Sequence, residues 1–343
     1  MQHPFPQRVP TDGPYLFHSK QGIWKGCLKE NNSMYANDVK PRLIVIVGPT
    51  AVGKTELAIR LAHEWDGEVI SADSMQVYRF MDVGTAKPTV EERSLVHHHL
   101  IDVVNPDEQF NAAIYIEMAR KIIRELHSRR KPIFVVGGTG LYVRALLGGL
   151  FKGPDADQGL RKAYKQELAQ FGKEYLYEKL KEKDREAAAQ VDKNDVVRII
   201  RALEVMELSG ESIVKKQKAH RFDDRLYECV KIGLRMERSR LYERIDQRTE
   251  KMMKDGFVEE IRGLLSMGYS DTLKPMQSLG YKHIVKYIKG SYTLDDALRI
   301  IKRDTRHFAK RQMTWFGKDQ EIVWLSPADM DEMRMRINNF LRK

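Results

Sequence analysis

The chain has 343 residues, enough for one large or two ordinary domains, and a formal net charge of +11. That excess asks for an acidic partner, nucleic acid ahead of membrane. Cys27 and Cys229 are the only cysteines and stand far apart, so neither a disulfide framework nor a zinc finger is expected. No apolar run is long enough to span a bilayer and the N-terminus lacks the apolar core of a secretory signal. A cytoplasmic chain with no membrane partner is the expectation.

Residues 1–40 are rich in Pro, Gly, His, Asn and Lys and show no sustained periodicity. They read as a disordered extension, and the first 33, ahead of Met34, as a tail or an artefact of start-site choice. From Arg42 onward strand and helix signals alternate. The apolar run Leu43–Val47 enters GPTAVGKT, which comprises Gly48, Pro49, Thr50, Ala51, Val52, Gly53, Lys54 and Thr55. The spacing G-x-x-x-x-G-K-[ST] between a strand and a helix, here Glu56–His63, is that of a phosphate loop. Its N–H groups and the helix N-terminus would hold a diphosphate or triphosphate, with Lys54 on the outer phosphate and the Thr55 hydroxyl on Mg²⁺.

A second strand, Glu68–Ala72, ends at Asp73, and a short one is expected within His97–Val104. Apolar Ile114, Met118, Ile122 and Leu126 put a helix over about Asn111–Ser128. The strand Pro132–Val136 then runs into GGTG, Gly137 to Gly140. Such alternation implies an α/β fold, a parallel sheet flanked by helices, in which ligands sit beyond the carboxyl ends of the strands. Residues 154–196 are polar and helix-prone and read as a helical insertion between core segments 41–153 and 197–343. The latter includes strands near Cys229–Leu234 and Ile322–Leu325.

An ordinary ATPase carries an acid at the end of an apolar strand, but Ile133–Val136 ends in Gly-Gly-Thr. Asp73 is the best-placed carboxylate. It can assist Mg²⁺, act as a general base, or cap the following helix. His97, His98 and His99 cannot all point at one ion from a regular element, and no Cys or spaced His joins them, so no structural metal is expected there.

GPTAVGKT, ISADSMQVY (Ile70–Tyr78), GTAKP (Gly84–Pro88), HHLID (His98–Asp102), GGTGLY (Gly137–Tyr142), RIIRALEV (Arg198–Val205), SLGYKH (Ser278–His283) and TRHFAKRQMTWF (Thr305–Phe316) follow in that order. Together they resemble the tRNA dimethylallyltransferase, or isopentenyltransferase, family across nearly the whole chain from Arg42. The resemblance implies a P-loop NTPase-like fold with a helical insertion that contacts tRNA. It implies transfer of a dimethylallyl group from its diphosphate to N6 of adenosine 37 in the anticodon stem-loop, by a cytoplasmic monomer using Mg²⁺. The loop would then grip a leaving diphosphate. Asp73 would take the amine proton, Thr139 would orient the amine and Gln76 would read the adenine edge, with the base flipped out of its stack.

The same resemblance places tRNA contacts at Asp73, Ser74, Met75, Gln76 and Thr139, and at Arg161 in the insertion. Further contacts fall at Val197, Arg198, Ile199, Ile200 and Arg201, at Gln277, Gly280, Tyr281 and Lys282, and at Arg303, Arg306, Lys310, Arg311, Gln312 and Trp315. Charge clustering adds its own argument. Arg299, Lys302, Arg303, Arg306 and Lys310 share one helical face, with Asp304 the only acid between Arg299 and Lys318. Such a stripe suits a phosphate backbone. Lys87 could touch phosphate, with no role assigned. The loop and Asp73 are also compatible with a small-molecule kinase, the charge with a nucleic-acid-binding NTPase, and the loop with an isopentenyltransferase acting on free adenine nucleotides.

Overall fold

The computed structural model describes residues 39–151, 153–220 and 224–342. The tail expected over residues 1–33 and Cys27 lie outside them. The strands are β1 (Arg42–Val47), β2 (Glu68–Ser71), β3 (His98–His99), β4 (Ile133–Gly137), β5 (Glu228–Leu234) and β6 (Val323–Leu325). The helices of the first half are α1 (Lys54–Glu64), α2 (Val90–Leu95), α3 (Ala112–Ser128) and α4 (Gly140–Gly148). Then come α5 (Gln158–Lys183), α6 (Arg185–Ala188), α7 (Val196–Ser209) and α8 (Ile213–His220). The last group is α9 (Arg238–Lys254), α10 (Phe257–Ser266), α11 (Tyr281–Ile288), α12 (Leu294–Phe316) and α13 (Met330–Arg342).

The strands form one sheet in the order β3-β2-β4-β1-β5-β6, with every pairing parallel. β1 lies between β4 and β5 and is buried on both faces. Leu43, Val45 and Val47 enter one core cluster, Ile44 and Ile46 the other. A continuous apolar run is what a doubly covered parallel strand needs. Each of these side chains contributes roughly 2 kcal/mol by burial. Covering helices are set by ordinary end signals. Asn111 accepts the Ala113 and Ile114 N–H groups at 2.9 and 3.1 Å, and α3 starts there, with Tyr115, Ala119, Ile123 and Leu126 buried beneath it.

A third core, separate from both sheet cores, is built by Tyr164, Leu176, Leu180, Ile199, Leu203 and Val214. It joins α5, α6, α7 and α8. The sequence put the end of the helical insertion at residue 196. The apolar stripe of α7 packs with α5 instead of with the sheet, so the insertion's core continues through α8. Among the described residues no helix is long and apolar enough to cross a membrane.

Candidate active site

The expected phosphate loop leaves the carboxyl end of β1 and enters α1 at Lys54. Gly48 at φ 147° and Gly53 at φ 103°, with Ala51 at φ 65°, turn the backbone through conformations that favour glycine. Val52 points away from the loop's concave side into the sheet core. Lys54 Nζ donates to the carbonyls of Gly48 and Pro49 at 2.9 and 2.7 Å. Burial pulls the Lys54 ammonium down to about 7, against the opposing charge of Asp73 and with the like charge of Arg248.

Arg248, on α9, carried no motif and was not singled out from sequence. Its Nη1 donates to Thr50 Oγ1 at 3.0 Å, across 198 residues of chain. Burial lowers its pKa, and Asp73 again acts the other way. Among the described residues, neither Lys54 nor Arg248 forms an ion pair. Both line one open pocket together with Thr50, Thr55, Asp73 and Gln312.

The other wall comes from the ends of β2 and β4. Asp73 Oδ1 accepts the Met75 N–H at 2.8 Å and the Gln76 N–H at 3.4 Å. The carboxylate thus caps a turn and also faces the pocket, so the two sequence readings of Asp73 are not exclusive. Thr139 does not line the pocket. Its hydroxyl accepts the Ser74 N–H at 3.0 Å and pins the turn after Asp73. Gln76 lines the pocket, but its amide is occupied: Oε1 accepts from Ser71 Oγ at 3.1 Å and Nε2 donates to the Ala86 carbonyl at 3.3 Å.

Gln312 was expected at a tRNA contact. The structure buries it, with Oε1 accepting the Thr50 N–H at 2.8 Å and Nε2 donating to the Gly138 carbonyl at 2.9 Å. It ties the phosphate loop to the GGTG turn. A Cβ on Gly138 would collide with that amide, and one on Gly140 with the Trp315 ring. The glycines of GGTG therefore admit α12. Trp315 covers Gly140 and stays about one-third exposed, whereas Phe316 is buried in a sheet core.

Several expected tRNA contacts have other positions. Ile199 and Ile200 face the helical core, leaving Val197 and Arg198 exposed on another face of α7. Arg161 grips fully buried Glu204 through Nε and Nη2 at 2.7 and 2.8 Å, and Arg201 Nη1 reaches the same carboxylate at 2.6 Å. Tyr281 is buried, its hydroxyl donating to Glu260 at 2.6 Å. Gly280 is buried beside it, Lys282 is half-buried and Gln277 is exposed. Met75 and Ser74 are half-buried beside Asp73.

On α12 the counter-charges that the sequence lacked come from another helix. Lys302 pairs with Glu250 and Arg306 with Asp246, both on α9, while Arg299 and Arg303 pair with Asp296 and Asp304. Lys310 and Arg311 are exposed and carry no acidic partner among the described residues. Lys87 is buried, its Nζ on Tyr78 O, Asp82 Oδ1 and Asp102 Oδ1 at 2.6 to 2.7 Å. It holds the 78–102 segment together and has no free hydrogen for phosphate.

A family model described as IPP transferase matches residues 76–319. "tRNA dimethylallyltransferase 2" of Syntrophus aciditrophicus is 58% identical over 303 residues, 88% of this chain and 97% of the relative. The tRNA isopentenylpyrophosphate transferase of Bacillus halodurans has a solved structure that superposes with a TM-score of 0.66. It is 40% identical, and the match covers 88% of this chain and 97% of that one. A eukaryotic dimethylallyltransferase solved acting on tRNA gives a TM-score of 0.69 at 26% identity, covering 84% and 75% of the two chains. With the sheet order, the phosphate loop and these matches together, the chain belongs to the IPP transferase family, among the tRNA dimethylallyltransferases.

Proposed function

We propose that this chain transfers a dimethylallyl group from dimethylallyl diphosphate to N6 of adenosine 37, beside the anticodon of tRNA, and releases diphosphate. The observation that carries this is the meeting, in one pocket, of two cations without ion-pair partners among the described residues, Lys54 and Arg248, with the Asp73 carboxylate. The names and lengths of the relatives support the same reaction. The cations and the N–H groups of the loop bind the diphosphate and stabilise the charge it gains as the allylic C–O bond breaks. The electron pair of that bond leaves with the diphosphate. The N6 lone pair forms the new C–N bond, and the proton displaced from N6 passes to Asp73.

The donor set also fits Mg²⁺: the Thr55 hydroxyl and the Asp73 carboxylate are hard oxygen ligands lining the pocket beside the loop. When bound, Mg²⁺ supplies further positive charge to the diphosphate oxygens. Thr139 acts through the Ser74 turn, holding Asp73 in place. An adenine reaches this pocket only out of its stack. Exposed Lys310, Arg311 and Phe308 at the same end of α12 offer charge and an aromatic face to the anticodon loop.

Incubation of the protein with unmodified tRNA, dimethylallyl diphosphate and Mg²⁺, followed by mass spectrometry of the nucleosides, should yield N6-dimethylallyladenosine. A folded sample that gives none, or that phosphorylates a metabolite with ATP, defeats the reading. Free adenine nucleotides serve as the competing acceptor and should remain unmodified.

A further inference from the structure

Three consecutive histidines were expected to hold no ion, because sequence neighbours diverge. The strand pairing changes that geometry. β3 runs parallel to β2 with Val69 opposite His98 and Ile70 opposite His99. One residue earlier, the Val69 N–H donates to His97 O at 2.9 Å, which brings His97 alongside Glu68. Side chains two apart on a strand share a face. His97 and His99 therefore lie with Glu68 on one face, while His98 turns to the other and lines the active-site pocket.

The three side chains converge. His99 Nε2 is 2.7 Å from Glu68 Oε2, and the His97 and His99 rings meet edge to face with centroids 4.4 Å apart. One donor atom from each residue lies within 4.8 Å of the others. The Glu68 and His99 side chains are only 10% and 9% exposed, whereas His97 is exposed. The second Glu68 oxygen is held by Arg129 Nη2 at 3.1 Å, from the end of α3.

We propose that Glu68, His97 and His99 form a binding site for a divalent transition-metal ion, Zn²⁺ first, distinct from the phosphate pocket. Two imidazole nitrogens and one carboxylate oxygen are a zinc-type donor set, and exposed His97 leaves the remaining position to solvent. Donor atoms around a tetrahedral Zn²⁺ lie roughly 3.4 Å apart for bonds of about 2.1 Å. The longest side, at most 4.8 Å, must therefore close by up to about 1.4 Å, and exposed His97 is the ligand best placed to move. Arg129 is the outer partner that orients the carboxylate. β3 is a two-residue strand at the free edge of the sheet. An ion there clasps β3 to β2 on one face and so steadies His98 on the other.

The test uses the full-length protein, stripped with chelator and then titrated with Zn²⁺ against a competing indicator, in parallel with His97→Ala and Glu68→Gln. His97→Ala alters an exposed side chain, and an unchanged melting temperature in chelator shows that it folds. The wild type should bind one more Zn²⁺ than His97→Ala, or bind it at least about tenfold more tightly, and Glu68→Gln should weaken it similarly. Saturating Zn²⁺ should raise the melting temperature of the wild type and not that of His97→Ala. Equal zinc stoichiometry and affinity in wild type and His97→Ala, or a wild-type melting temperature indifferent to Zn²⁺, overturns the site.

Discussion

Two cationic regions differ in what balances their charge. On α12, Arg299, Lys302, Arg303 and Arg306 all face carboxylates, two of them from α9. In the pocket, the side chains of Lys54 and Arg248 hydrogen-bond carbonyls and a hydroxyl and form no ion pair among the described residues, and burial works against the charge of both. Exposed ion pairs contribute little and cost little. Buried cations without counter-ions are costly, and a phosphate ligand offsets that cost on binding. The density of basic residues on α12 therefore does not by itself mark the pocket. Burial without a counter-charge distinguishes the pocket, and on α12 Lys310 and Arg311, at the end nearest the pocket, have no acidic partner among the described residues.

Removing the one acid that faces the two pocket cations sharpens this contrast most. Asp73→Ala should lower single-turnover transfer by about 10³-fold, as loss of a general base does, while diphosphate binding measured calorimetrically stays equal or tightens. A variant that turns over normally removes Asp73 from the proton transfer. Lys54→Ala and Arg248→Ala should each cost about 10² to 10³ in the transfer step and weaken diphosphate binding, with tRNA affinity unchanged in filter binding. If Arg248→Ala binds diphosphate as well as the wild type, its contact with Thr50 is structural only.

The pH dependence follows from Lys54. Free Lys54 loses its proton near pH 7, and a bound diphosphate holds it in the charged form. Binding above pH 7 therefore takes up a proton. The Lys54 contribution to diphosphate affinity should be flat below pH 7 and fall by up to about tenfold per unit above it, until the pKa of the complex is reached. Calorimetry in two buffers of different ionisation enthalpy reads the uptake. A pH-independent affinity between 7 and 9 would mean that Lys54 stays charged in the free pocket.

The smallest effects belong to α12. Replacing Lys310 and Arg311 together by Ala should reduce the salt slope of tRNA binding by about 2, one for each lost phosphate contact. Arg303→Ala with Arg306→Ala should change it less, because both guanidiniums are already engaged. The reverse ranking breaks the comparison.

Local features were legible in the sequence because local chemistry specifies them. The Gly48–Thr55 loop, the helix expected from about Asn111 and the apolar strands occupy the positions their residue types dictate. What escaped depends on chain closure. Arg248 meets Thr50 over 198 residues and Gln312 meets Thr50 over 262, so no spacing rule signals either contact. The α12 counter-charges lie on α9 for the same reason. Ile199 and Ile200 were misplaced because a matching segment does not state which turn of a helix faces outward. The convergence of His97 and His99 on Glu68 needed a strand register, which a two-residue strand does not advertise.

The central claim is that the loop grips a diphosphate whose carbon–oxygen bond breaks. Dimethylallyl diphosphate carrying a heavy-oxygen label at the bridging position, turned over once on unmodified tRNA, tests it directly. The account predicts that all of the label leaves with the released diphosphate while the adenosine gains the dimethylallyl group at N6. Released diphosphate without the label, or phosphate transferred to the acceptor, would contradict it.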